Sequence, residues 1–199
     1  MTVRYNMAGK TNLLHKVTNF TGSSVTLSYH LSTPDYRQPS RTWLLDTVTS
    51  IDPLNPNGGD IAITVYEYEN PSYDRFERTS FGYGTVTSKQ IEPNNNSVYR
   101  KVKRTYLNSN ILNKGRIKQE LTADGSDNKY IEKEYFYDYT SYDGNEVDTC
   151  TGNAYTPGDR VVTRFYEGAA TPKLTTAETR QYDAYHNVVT YIDEGDTAY

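Results

Sequence analysis

Three histidines (His15, His30, His186), one cysteine (Cys150) and two acidic loops are the residues of this sequence from which chemistry could be built. A structural zinc site groups four nitrogen or sulfur ligands closely. No cysteine or carboxylate stands at such a spacing from any histidine, so the histidines read as polar packing and no metal is expected. The loops Asp124-Gly-Ser-Asp127-Asn128 and Asp143-Gly-Asn145-Glu146-Val-Asp148 offer calcium its oxygen ligands. Neither keeps the alternating ligands and distal Glu of an EF-hand, and both read as solvated turns. Glu132 and Glu134 are close in sequence, but glycoside cleavage needs two carboxylates facing across a cleft. These two share a strand with lysines and read as a surface ion-pair ladder.

Other signatures fare no better. There is no Gly-x-Ser-x-Gly elbow, and Gly82-Tyr83-Gly84 lacks the following helix that would make a phosphate cradle. Cys150 has no base beside it in the sequence. The alternation Arg100-Lys101-Val102-Lys103-Arg104 between Tyr99 and Tyr106 could hold a polyanion, but it is a local patch in an acidic chain, so no nucleic-acid partner is expected. The residues offer no catalytic constellation and call for no cofactor; the chain reads as a non-enzyme.

What remains is an unusual surface chemistry. The 199 residues carry 25 acidic and 21 basic side chains, a net charge of −4 that implies neither bulk nucleic-acid nor anionic-membrane binding. Mean hydropathy is −0.81, which suits a disordered chain, yet such chains are poor in aromatic residues and this one has 20 tyrosines. Burial must come largely from rings that keep one polar end, and that suits a wide sheet better than a compact oily core. The opening residues have no apolar core of signal-peptide length, and no run approaches a membrane span.

The elements that would position these residues are strands. Val25, Leu27, Tyr29 and Leu31 alternate with Thr26, Ser28 and His30 in the period-2 pattern of a half-buried strand, and Arg41–Ile51 and Ile61–Tyr68 follow suit. Arg75–Glu92 reads as one extended element in which Gly82 and Gly84 mark a bulge or a close backbone approach. Val98–Leu107, Gly115–Leu121, Lys129–Asp138, Arg160–Tyr166, Leu174–Tyr182 and Val188–Ile192 complete about ten or eleven strands without a helical period. Tyr139–Asp159 reads as a long excursion and Asp193–Gly195 as a turn. The expected fold is all-β, antiparallel, a curved sheet of hairpins wet on parts of both faces.

A loose unit recurs: a strand ending in Tyr plus an acid or Asn, a turn, then another strand. It appears at Tyr66–Asn70, Tyr106–Asn108, Tyr135–Asp138, Phe165–Gly168 and, most fully, Tyr182-Asp183 with Asn187. With Gly9-Lys10-Thr11-Asn12-Leu13-Leu14 and Tyr73-Asp74 leading into Phe81-Gly82-Tyr83-Gly84-Thr85-Val86, the chain resembles the RHS/YD-repeat proteins. Its first half resembles the segment leading into the repeats of insecticidal toxin complex B components.

The resemblance implies that residues 1–92 form a repeat-leading part and 93–199 degenerate hairpins of one segment of a longer protein. It implies Phe81, Gly82, Tyr83, Gly84, Tyr137, Asp138, Tyr182, Asp183 and Asn187 as structural repeat residues. It further implies a hollow shell that encloses or displays another part of the polypeptide, at the cell surface or secreted. The expected partners are neighbouring repeats of the parent, an enclosed toxin segment or surface glycans, and a second copy through C-terminal edge strands. The alternative is a carbohydrate-binding or adhesive module, with Trp43 as a sugar-stacking residue.

Overall fold

The expected alternation builds one open antiparallel sheet. The computed structural model describes residues 12–52, 60–141 and 154–197. These form β1 (Lys16–Thr18), β2 (Ser24–Leu31), β3 (Trp43–Asp52) and β4 (Asp60–Asp74). Then come β5 (Thr79–Ile91), β6 (Val98–Tyr106), β7 (Ile117–Asp124) and β8 (Lys129–Ser141). β9 (Ala154–Phe165), β10 (Leu174–Tyr182) and β11 (Val188–Asp196) complete the sheet. Spatial order equals sequence order, so each strand bonds only to those before and after it. Among the described residues there is no helix, and therefore none long and apolar enough to cross a membrane.

A single layer cannot build a deep core. Only Phe81, Ala123, Val162, Tyr166 and Ala177 are buried apolar residues among those described. Polar satisfaction takes over part of the work: the described residues leave no buried side-chain nitrogen or oxygen without a partner.

The connections β2–β3, β4–β5, β6–β7, β8–β9 and β10–β11 lie at one end of the sheet, and each of these five hairpins carries a bulge there. The ladder slips at Ser28/Tyr29, Ser72/Tyr73, Thr105/Tyr106, Asp138/Thr140 and Gln181/Tyr182. In each case the extra residue is on the second strand: Asp46, Phe81, Lys118, a residue between Tyr155 and Gly158, and Val189. A bulge bends its strand and raises the local twist, so repetition at one end gives every hairpin the same local distortion. Tyr29, Tyr73, Tyr106 and Tyr182 stand at the slip, which gives the recurring tyrosine a structural position.

At four of the five strand pairs not joined at that end, β1/β2, β3/β4, β5/β6 and β7/β8, a side chain bonds across beyond the last pair. Tyr29, three residues past Thr26, donates its hydroxyl to the carbonyl of Leu14, two residues before Lys16, the partner of Thr26 (2.9 Å). Tyr68 bonds Leu45 (2.9 Å) and Tyr137 bonds Ile117 (2.8 Å) from the same relative positions. Asn108 does likewise through its amide to Tyr83 (2.8 Å).

Several boundaries differ from expectation. Arg75–Glu92 is not one element, because Asp74 Oδ1 accepts the amides of Phe76 and Glu77 (2.8 and 2.9 Å) and Arg78 takes φ 54°, which turns the chain. β4 does not end at Asn70 but runs through Pro71 to Asp74. β8 and β9 reach into the expected Tyr139–Asp159 excursion, leaving 142–153 between them. Asp193–Gly195 is a bulge inside β11, with Gly195 at φ 62°, rather than a turn. Gly9–Thr11, Asp143–Asp148 and Cys150 lie outside the described residues.

Candidate functional site

The carboxylates singled out from the sequence part company in the fold. Glu132 lies on β8 opposite Leu121 of β7 and Arg164 of β9, and it is 6% exposed. The Tyr166 hydroxyl donates to its Oε2 (2.6 Å) and the Gln119 amide to its Oε1. Lys129 and Arg164 stand at 3.7 and 3.9 Å. Burial raises its pKa, but the Tyr166 hydroxyl, Lys129, Gln119 and Arg164 outweigh that and hold the carboxyl below its ordinary value. The bond to Glu132 in turn raises the pKa of Tyr166, and burial adds to that.

The surface ladder expected for this pair is therefore corrected at Glu132, which is an interior acceptor tying β7, β8 and β9 together. Sequence alternation missed this because Tyr166 and Gln119 are supplied by residues distant in the chain. Arg164 also bonds Glu134 at 2.9 Å. The two carboxylates thus share a guanidinium and do not face each other across a cleft. Among the described residues no group of three His, Cys, Asp or Glu is placed to hold a metal. His30 pairs with Asp46 (3.2 Å) and His15 with the Leu27 carbonyl (3.3 Å), while His186 occupies a turn at φ 63°.

The residues that the resemblance implies as repeat residues occupy three kinds of position. Phe81 is the buried extra residue of the β4–β5 bulge, followed by Gly82 at φ 86°. A Cβ on Gly84 would stand 3.2 Å from Asn70 Cβ and O, so this glycine permits a close approach of β4. Tyr83 donates to Gln38 Oε1 (2.7 Å), Tyr137 crosses the β7/β8 gap and Asp138 opens the β8–β9 slip. Tyr182 donates to Asp159 (2.6 Å), and Asp183 Oδ1 accepts the amides of Tyr185 and Asn187 (2.8 and 2.9 Å). Asp124–Asn128, read from the sequence as a solvated turn, is built the same way: Asp124 Oδ1 accepts the amides of Ser126 and Asn128 (2.8 and 2.9 Å). The shared four-residue offset from Asp to Asn was the available signal. Trp43 opens β3 opposite Leu31, half-buried and engaged with a neighbour.

At the sheet's edge, β11 bonds β10 on one side, and among the described residues nothing pairs with the other. Val188, Val189, Tyr191 and Ile192 are exposed along it.

No family model matches the sequence, and no curated protein does. Solved structures do match. The crystal structure of TcdB2–TccC3–Cdc42 superposes with a TM-score of 0.66 over 94% of this chain at 12% identity. The chain has the fold of a Tc toxin segment. The crystal structure of TcdB2–TccC3 gives 0.64 over 91% at 13% identity, and the Photorhabdus luminescens Tc holotoxin pore with a TccC3 mutation gives 0.64 over 91% at 12%. In each case the match spans 12% of the Tc toxin chain. The fold expected from the Tyr-Asp and Phe81–Val86 residues is thus present, at an identity that speaks to fold alone.

Proposed function

We propose that this chain is a structural segment of an RHS/YD-repeat shell, a stretch of wall in a larger secreted or toxin-like polypeptide that encloses or displays another part of itself. The observation that carries the reading is the open sheet: one layer, sequential strands, and an apolar outer edge at β11. A long apolar edge strand invites a further strand, and the likeness to 12% of much larger Tc toxin chains supports a place within a larger assembly.

The test is the complete polypeptide that contains this sequence. Electron microscopy of it should show a hollow particle, and amides of β11 that exchange quickly in the isolated chain should be protected there. A solid globular domain, or β11 amides that exchange alike in both, would overturn the reading.

A further inference from the structure

We propose that the cavity between β3 and β4 binds a guanidinium group. β3 pairs with β4 only as far as Thr47↔Val65, and β7 pairs with β8 only as far as Gln119↔Glu134. Beyond those pairs Tyr68 and Tyr137 cross the two gaps from equivalent positions, to the carbonyls of Leu45 and Ile117. The junctions can therefore be compared residue by residue. They differ just before the accepting carbonyl, where one has Arg116 and the other Leu44.

Arg116 fills its junction. Its guanidinium lies 5.1 Å from the ring centre of Tyr137 and 5.8 Å from that of Tyr139, and it donates to Thr156 Oγ1 (2.6 Å). At the other junction Leu44 carries no such group, and an open cavity of about 400 Å³ remains, walled mainly by His30, Gln38, Leu44, Tyr66, Tyr68 and Tyr83. Among the described residues no lysine or arginine lines it.

The walls are lined with aromatic side chains that are held in place. The hydroxyls of Tyr68 and Tyr83 are bonded to Leu45 and Gln38, the two rings stand 5.1 Å apart, and His30 meets Tyr68 edge-on at 6.4 Å. His30 is itself held by Asp46, so a carboxylate backs the aromatic wall. Guanidinium is planar, weakly hydrated and stacks on aromatic faces, which an ammonium ion does less well. The volume sits at the lower end for small-ligand sites. The group could arrive as a free small molecule or on an arginine side chain of a polypeptide, and the chemistry recognised is the same.

The experiment is a titration of the full chain followed by the ring resonances of Tyr68 and Tyr83. Methylguanidinium, acetyl-arginine methylamide and an extended arginine peptide serve as probes, with acetyl-lysine methylamide and glucose as comparators. Saturable shifts from the three guanidinium probes, at least tenfold weaker with lysine and absent with glucose, are expected. The peptide binding much more tightly than methylguanidinium would assign a polypeptide source, and equal affinities a small molecule.

Leu44→Arg supplies the group from within and should weaken probe binding at least tenfold without lowering Tm. Arg116→Leu should open a second site, with its lost Tm recovered by methylguanidinium far below denaturing concentrations. Equal shifts from lysine or glucose, or binding at the emptied Arg116 site with none at Tyr68, would overturn the proposal.

Discussion

The turns Asp124–Asn128 and Asp183–Asn187 are one device in two settings. In both, an Asp carboxylate accepts the amides two and four residues on and the side-chain amide of the Asn (2.8 and 3.1 Å), with the residue before that Asn at φ 66° or 63°. They differ at the position after the Asp. A Cβ on Gly125 would lie 1.8 Å from the Val98 carbonyl oxygen, whereas Ala184 is exposed. The Asp–Asn pair makes the turn, and the strand packed beside it dictates which residue fits between them. The interior hairpin is also anchored by Glu132 across three strands. The hairpin β10–β11 has no neighbour on its outer side among the described residues.

The sharpest way to break this comparison is to place an alanine at the crowded turn. Gly125→Ala should cost about 3 kcal/mol or more, because a backbone carbonyl has no flexible end that could yield. A Tm close to that of the wild type would show that Val98 does not constrain the turn.

Next in size is Glu132→Ala, expected to lose about 2 kcal/mol by leaving the Tyr166 hydroxyl and Gln119 amide without their acceptor. Because the folded pKa of Glu132 is depressed below its ordinary 4.5, its stabilisation is complete above that value and is lost as pH falls through the lower folded one. Glu132→Gln should therefore flatten the acid limb of the stability curve. Part of the limb should persist, since Asp124 and Asp183 are also lowered, chiefly by the side chains of Asn128 and Asn187. An unchanged acid limb would remove Glu132 from the interior anchor.

Smaller still is the reciprocal change at the open turn. Ala184→Gly should cost only about 0.5 kcal/mol, through the freedom it adds to the unfolded chain. A loss matching that of Gly125→Ala would mean that the turns themselves, and not their neighbours, set the difference.

The smallest thermodynamic effect belongs to the edge. Val189→Lys should shift stability by no more than about 0.5 kcal/mol yet reduce self-association in sedimentation, because a charge on an edge strand opposes pairing. Amides of β11 should exchange quickly and those of β8 slowly in the same sample. Monomeric wild type with uniform protection to its last strand would erase the distinction between interior and edge.

Strand identity was legible because period-2 alternation survives even where half of each face is polar, as in Val25–Leu31. The bulges were not, except at Gly82, since an extra Asp46, Lys118 or Val189 has no compositional mark. Asp46 interrupts the alternation that would carry Trp43 and Leu45 onto the face of Ile51. The Tyr-Asp-x-x-x-Asn turn at Tyr182 was visible because its chemistry is local. The setting of Glu132 was not, because its partners Gln119 and Tyr166 come from other strands and ordinary polar residues give no sign of which carboxylate they will enclose.

The strictly sequential strand order also bears on how the molecule comes into being. Each strand finds its first partner in the segment made just before it, so no part of the sheet must wait for a distant stretch of chain, and the loop entropy that slows non-local β pairing stays small. Emerging from the ribosome, the sheet can assemble hairpin by hairpin from its leading end. The growing edge then moves along the sheet in step with synthesis, and β11 marks where that edge stands when Asp196 has just emerged.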